Sequence, residues 1–524
     1  MNDAIAQPGE RLVPDEVIPH RNLPPLRYRD LPEPVSWRKM VGPSIILAGL
    51  ALGSGEFIIW PHIVYKAGFV FFWGCMLGVL TQYFLNMEIE RWTLATGESA
   101  ITGFCRLWKP WAIVMLALNI IPWAWPGWAT GAAQILSWML YGPIEAVTDG
   151  TVDWELRRIS LFGIAGLVLS GIVLTAGPVV YNTVEKVQTV LVGLILVLLV
   201  LLAAVVVRWD AVLAMFDGIA NVGAMPDLET TGLSLTVLLG ALAFAGAGGT
   251  TNLGQSNYIK DKGYGMGRYI GRITSPITGE EEAISDVGYH FEHTPENMRR
   301  WRAWWRAANV EHAFSFLATC AICLCLMSLI SYSLFYDPSG ELKEGMDRFG
   351  AGMNFVWGEA TVLAGLPMGG LLKTCFLLMG LAILLTTEFG LLDAVARIST
   401  DIVKVNFLRD SETFTQSRLY YYFLWAEIAL GSLILAVPLV VPEGAKFGQP
   451  LFLLQTAAAM NGGVMFLYSL ILLYLNSKIL PRSISMTWGR FAIMVWSCAF
   501  FGYFTIQMLR LEVGPYLIGL LRLG

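Results

Sequence analysis

Charge is scarce in this sequence: 14% of its 524 residues are Asp, Glu, Lys or Arg, where a soluble globular chain carries roughly 25%. That shortage excludes a soluble enzyme, a nucleic-acid binder and a disordered chain. The apolar runs are long, not short and alternating, which excludes an outer-membrane barrel. The first 38 residues hold no apolar stretch of the kind a secretory leader needs; they are polar and end in Leu31-Pro32-Glu33-Pro34-Val35, so no cleavable leader is expected. Seven cysteines are scattered, mostly inside apolar runs, without a disulfide framework. Cys320, Cys323 and Cys325 have metal-like spacing but lie in an apolar helix, where Cys acts as a small hydrophobe. ATP-binding, zinc-protease and nucleophile-elbow motifs are missing, so neither an enzyme nor a cofactor is expected.

What is abundant is hydrophobic length: 55% of the residues are apolar. Against a requirement of ~20 apolar residues per span, the runs predict eleven membrane helices. They lie near 40–66, 68–94, 110–140, 158–177, 182–207, 234–259, 309–335, 365–396, 417–441, 449–475 and 487–509. The chain divides into a tail over 1–38, a first group of five spans over 39–207, and a second over 234–475 that includes the loop 260–308. The eleventh helix, 487–509, follows. Most of the 35 Lys and Arg lie in or beside the segments that are inside if the N-terminus is cytoplasmic, so the positive-inside rule predicts N-in and C-out, in a bacterial inner membrane. Met298 to Arg306, a basic aromatic helix, is expected to lie among lipid headgroups.

Two spans are interrupted at mid-membrane depth. Span one is apolar from Gly42-Pro43 to Leu52 and then reads Gly53-Ser54-Gly55-Glu56. Span six is apolar to Phe244 and then reads Ala245-Gly246-Ala247-Gly248-Gly249-Thr250-Thr251-Asn252. Each opens one group of five. Unwound backbone survives in a membrane only where it lines a cavity, and matching interruptions in two halves point to a transporter's binding site.

From about residue 40 to 485 the sequence resembles the Nramp family of proton-coupled divalent-metal transporters. Gly42-Pro43 opens span one as in that family, Gln82-Tyr83 and Ala95-Thr96-Gly97 resemble its second helix, and Glu185-Lys186 its fifth. Gln455 and Asn461 have the spacing of two family glutamines in helix ten. The resemblance implies an all-α, five-plus-five inverted-repeat (LeuT-like) fold with an eleventh helix. The family's metal motifs are not kept. Its D-P-G-N falls on Gly53, Ser54, Gly55 and Glu56, its M-P-H on Gly248-Gly249-Thr250, and two acidic residues of its third helix on Trp125 and Trp128. The thioether that favours Mn and Fe is therefore absent.

The candidate substrate-binding residues are Gly53, Ser54, Gly55, Glu56, Gly248, Gly249, Thr250, Thr251, Asn252 and Asn461. Glu56 is the candidate metal ligand, since a carboxylate at this depth needs a partner, a cation or a proton. Thr386, Thr387 and Glu388 in span eight are candidates for a coupling ion, because the corresponding helix in transporters of this fold can supply a sodium site. Trp125 and Trp128, with Trp123, are candidates for an aromatic wall lining the cavity. Asp393 and Arg397 are four apart and suited to pair. His62, and His312 beside Glu311, are suited to carrying protons. The leading expectation is a secondary transporter of a divalent cation, with H+ as the candidate coupling ion. The alternatives are a proton- or sodium-coupled transporter of a small organic solute or anion, and a sensor on the same fold.

Overall fold

The computed structural model describes residues 11–35, 42–53, 55–143, 151–274, 285, 287–440 and 449–513. Among the described residues, eight helical stretches are long and apolar enough to cross a membrane, including Val180–Val206, Gly369–Asn406 and Gln416–Val440. Span two, Phe72–Thr96, carries Glu88, Glu90 and Arg91 in its C-terminal half. Spans three and six are each divided into shorter pieces. Span one runs as Pro43–Ala51, a π turn over Gly55–Ile59, and Trp60–Ala67. Span six is split into Leu235–Ala243 and Gly249–Lys262. Gly248 (φ 74°) and Gly249 (φ 51°) lie in the left-handed region at that break, a conformation that glycine adopts without the steric penalty of a side chain.

Span one is the centre of the bundle. Burial reaches 94% of its membrane-length window, against 39% in Trp154–Ala176, 33% in Val180–Val206 and 22% in Gln416–Val440. Spans four, five and nine therefore form the outer shell, and their apolar outer faces suit lipid.

Three features differ from the sequence expectations. Span three is not one helix: Trp111–Ile120 and Gly127–Tyr141 are separated at 121–126, where Pro122 and Pro126 each lack a backbone donor. The aromatic face of the basic helix is covered by protein, where the sequence alone leaves it to lipid. Pro295–His312 runs through a π turn over Ala313–Ala318 into Thr319–Phe335, and Trp301 and Trp304 are 4% and 2% exposed. Trp304 Nε1 donates to Pro32 O at 2.8 Å, and the Arg91 guanidinium lies 3.9 Å from the Trp305 ring centre. Residues 301, 304 and 305 share one helix face, and that face is covered by protein.

The N-terminal segment is the third difference. Val13, Ile18, Leu23, Leu26 and Leu31 are buried, each worth roughly 1.5–3 kcal/mol. Arg27–Tyr28 pairs in parallel with Tyr289–His290. Leu31 N donates to Asn297 Oδ1 at 3.1 Å, and Arg106 Nη2 donates to Pro24 O at 3.0 Å. His290 Nδ1 lies 2.9 Å from Ala95 O at the end of span two. Burial there holds the His290 imidazole down to about 4.

Candidate binding site at the two helix breaks

The two interruptions meet. A Cβ on Gly55 would stand 1.7 Å from Phe244 O, so only glycine lets the first break approach the second this closely. Within the first break, Gly53 N donates to Glu56 Oε2 at 3.2 Å. Glu56 is 1% exposed, and its Oε1 has no hydrogen-bond partner among the described residues. The carboxylate closes its own turn with one oxygen and leaves the other unused. It lies on the side of Cys75, Cys320 and Cys323 and does not line the cavity described below. Ser54 lies outside the described residues.

The second break is held by a residue from span two. Gln82 Nε2 donates to Leu242 O at 3.2 Å and Ala243 O at 2.7 Å, carbonyls that lose their helical partners at the break. Its Oε1 accepts from Gly248 N and Asn252 Nδ2, both at 3.2 Å. Thr251 Oγ1 lies 2.9 Å from Ala247 O. Thr250 Oγ1 donates to Asn119 Oδ1 and accepts from Trp123 Nε1, both at 2.8 Å. Asn252 Nδ2 also donates to Tyr468 OH at 3.1 Å. Asn461 Nδ2 donates to Ala457 O at 2.9 Å, and its Oδ1 abuts Gly249, where a Cβ would come within 1.7 Å. The Asn252 and Asn461 Oδ1 atoms have no hydrogen-bond partner among the described residues.

Between the breaks is a cavity of about 10 Å³, room for about one water. Gly55, Thr251, Thr387, Trp123, Trp128 and Phe244 help to line it, and among the described residues none of its lining side chains is charged. Trp123 stacks on Phe244 with centroids 5.8 Å apart, and Trp128 lies 5.5 Å from Trp123 and 5.7 Å from Phe244. The aromatic wall is therefore Trp123, Trp128 and Phe244. Trp125 is half-buried and does not line the cavity.

Span eight meets the first break through Thr387. Its Oγ1 lies 3.1 Å from Ile383 O, 3.4 Å from Leu52 O and 3.5 Å from Gly49 O. The neighbouring Thr386 O accepts from Gln188 Nε2 at 3.0 Å, while Thr386 Oγ1 has no partner among the described residues. This is a cluster of hard, uncharged oxygens of the kind that hard cations take. Glu388 points elsewhere: its Oε2 accepts from Ala129 N at 3.2 Å, in the first turn of Gly127–Tyr141, where the helix dipole favours an anion.

Buried charge pairs tie spans six and eight together. Arg397 pairs with Asp393 at 2.7 Å and with Asp261, Tyr420 OH donates to Asp393 at 2.8 Å, and Lys260 pairs with Asp401. The expected Asp393–Arg397 pair is thus part of a larger clasp between spans six and eight. At the other end is a wider cavity of about 510 Å³ that includes Gln134, Glu155, Met353 and Gln455. Gln82, Gln188, Phe244 and Asn119 were not among the sequence candidates. Gln82 carried a signal, since it sits in the Gln82-Tyr83 pair, whereas the other three depend on which helices touch.

No protein-family model matches the sequence, and no curated protein matches it. Solved structures do match in fold. A mutant of the Eremococcus coleocola manganese transporter aligns with TM-score 0.60 at 13% identity, over 93% of this chain and 90% of that one. The same transporter in complex with an aromatic bis-isothiourea substituted compound aligns with TM-score 0.60 at 13% identity, over 92% and 88%. MhsT in complex with L-phenylalanine aligns with TM-score 0.50 at 14% identity, over 90% and 99%. At such identities the likeness is one of architecture. The chain is a polytopic, all-α membrane protein with the LeuT-like five-plus-five inverted repeat and an eleventh helix.

Proposed function

We propose that this chain is a secondary active transporter of the Nramp type that takes a hard cation at its first helix break and works by alternating access. The observation that carries this reading is the oxygen cluster around Thr387, where carbonyls freed by the break in span one meet a hydroxyl and a carbonyl of span eight. Glu56 supports it, as a buried carboxylate with one unused oxygen invites a cation or a proton. Thr386, whose hydroxyl has no partner among the described residues, is a further candidate ligand. The clasp on one side and the wider cavity on the other suit a state closed toward the cytoplasm, with the N-terminus inside and the C-terminus outside.

In the leading form the cation is itself the cargo and is divalent, in keeping with the likeness to a manganese transporter. Without a thioether or a carboxylate in the cavity lining, Mn²⁺ has little advantage over Mg²⁺ or Ca²⁺. The charge-free wall of Trp123, Trp128 and Phe244 favours a second form, in which the cation drives a small organic solute. Here Gly248, Gly249, Thr250, Thr251, Asn252 and Asn461 present the polar edge of that solute's site. Uptake by the purified chain in sealed liposomes separates the two. Accumulation of Mg²⁺ or Mn²⁺ without any solute supports the first, and solute accumulation that requires a sodium or proton gradient supports the second. Liposomes that accumulate neither across a broad solute panel contradict the transport reading.

A further inference from the structure

Away from the cavity, four helical segments bury a second group of ionisable side chains. Ser44, near the start of the first half-helix, places Oγ against Glu311 Oε2 and 2.9 Å from His312 Nδ1. Gln255 of span six places Nε2 3.3 Å from Glu90 Oε2 of span two and 3.3 Å from His312 Nδ1. All five residues are at least nine-tenths buried. Ser315 also lies beside the Glu311 carboxyl, and His312 Nε2 has no hydrogen-bond partner among the described residues. The His312 ring is clamped between Tyr83 and Phe316, with centroids 5.6 and 4.8 Å away.

Counting protons shows what this cluster requires. The Gln255 amide nitrogen only donates, so beside it His312 Nδ1 accepts, and Ser44 gives its single hydroxyl proton to the same ring nitrogen. The Ser44–Glu311 contact then needs a proton from Glu311. If Ser44 donates to Glu311 instead, Nδ1 carries the proton and the Gln255 amide reverses. That turns its oxygen toward Glu90, which must then be protonated. In both arrangements that make every one of these contacts a hydrogen bond, one carboxyl holds a proton. The other titratable groups around the cluster are Tyr83, Tyr181, Glu185, Tyr264, Lys262 and, beyond Tyr83, Arg490. Lys262, the nearest cation, is engaged by Glu185 at 2.6 Å.

We propose that Glu311, with Glu90 and His312, is a proton-binding site whose occupancy holds the first half-helix closed. Pro43–Ala51 is nine residues long and separated from Trp60–Ala67 by the break, so it can hinge at Leu52–Gly53. Ser44 is one residue from the end farthest from the break, where a latch has the most leverage. When the proton leaves, a buried carboxylate remains without a cation, and water reaches it only as the half-helix moves away. This inference deepens the transport reading by naming where H+ couples, and rests on that reading for its purpose.

The test uses hydrogen exchange over residues 43–52 in the full chain in lipid nanodiscs, from pH 5.5 to 8.5, corrected for the intrinsic pH dependence of exchange. In the wild type, protection falls as pH rises, by up to about tenfold per pH unit for one linked proton. Glu311→Gln stays protected throughout, Glu311→Asp keeps the response, and Ser44→Ala is poorly protected at every pH. A wild type with flat protection overturns the proposal, as does a Gln variant that follows the wild type. If Glu311→Gln fails to assemble, Glu90→Gln and His312→Gln carry the same test, and a response unchanged in both overturns it. No cargo is needed, so a failure here is distinguishable from a failure of the transport reading.

Discussion

Thr387→Val is the sharpest perturbation of the first break. Valine keeps the shape and branching of threonine but replaces Oγ1 with a methyl group, facing three carbonyl oxygens 3.1–3.5 Å away. In the cation-free chain the loss is that of one buried hydroxyl, about 1 kcal/mol. With a cation bound, the variant also loses an oxygen ligand. Taking that ligand as comparable to a hydrogen bond to a charged group, about 1.5–3 kcal/mol, the cation Kd rises roughly 10- to 150-fold. The assay is thermal unfolding of purified protein while Na+ or Mg²⁺ replaces an inert cation at constant ionic strength. At a cation concentration about 100 times Kd, binding stabilises the wild type by about 2.7 kcal/mol, and the variant keeps only about 0.3–1.4 kcal/mol of it. Equal cation stabilisation in the two proteins would refute the reasoning, and so would a wild type indifferent to every cation tried.

Glu56→Gln keeps the turn-closing acceptor for Gly53 N but removes charge and proton exchange. The variant should assemble normally and lose concentrative uptake in liposomes; wild-type uptake would reduce Glu56 to a cap. Gly55→Ala sets a methyl 1.7 Å from Phe244 O, so the breaks must part. The expected result is a yield or thermal stability well below that of Gly254→Ala, whose nearest neighbour is 3.3 Å away. His290 sets a pH limit on the docked N-terminal segment. Burial lowers its folded value to about 4 from 6.5, so the contribution of neutral His290 is full above about pH 6.5. It is lost as pH falls toward 4, by roughly 3 kcal/mol in all. Limited proteolysis of residues 11–35 should therefore accelerate between pH 7 and pH 4.5, and His290→Gln should flatten the difference.

The interruptions in spans one and six were legible because glycine and polar residues inside an apolar run contradict a continuous helix. Pro122 and Pro126 carried the same kind of signal in span three, but the surrounding tryptophans kept the stretch apolar enough to read as one span. The aromatic wall was half legible: Trp123 and Trp128 stood out in the sequence, whereas Phe244 looked like one more apolar residue until the second break placed it opposite them. Gln82 shows why bracing residues escape sequence reading. Its role depends on span two passing within hydrogen-bond reach of the carbonyls at Leu242 and Ala243, a juxtaposition that no local pattern records. The burial of Trp301 and Trp304 was hidden for a related reason. A basic aromatic stripe suits lipid and protein equally, and the docked segment that covers it lies some 270 residues earlier in the chain.

Cation binding at the first break is most directly tested by solid-supported membrane electrophysiology on liposomes holding the purified chain. A jump in Na+ or Mg²⁺ concentration, with no other solute present, moves charge into the protein if the oxygen cluster binds the ion. The account predicts a transient current in the wild type that saturates with cation concentration and is strongly reduced in Thr387→Val. Wild-type liposomes without such a current for any cation, or an undiminished current in the variant, would contradict it.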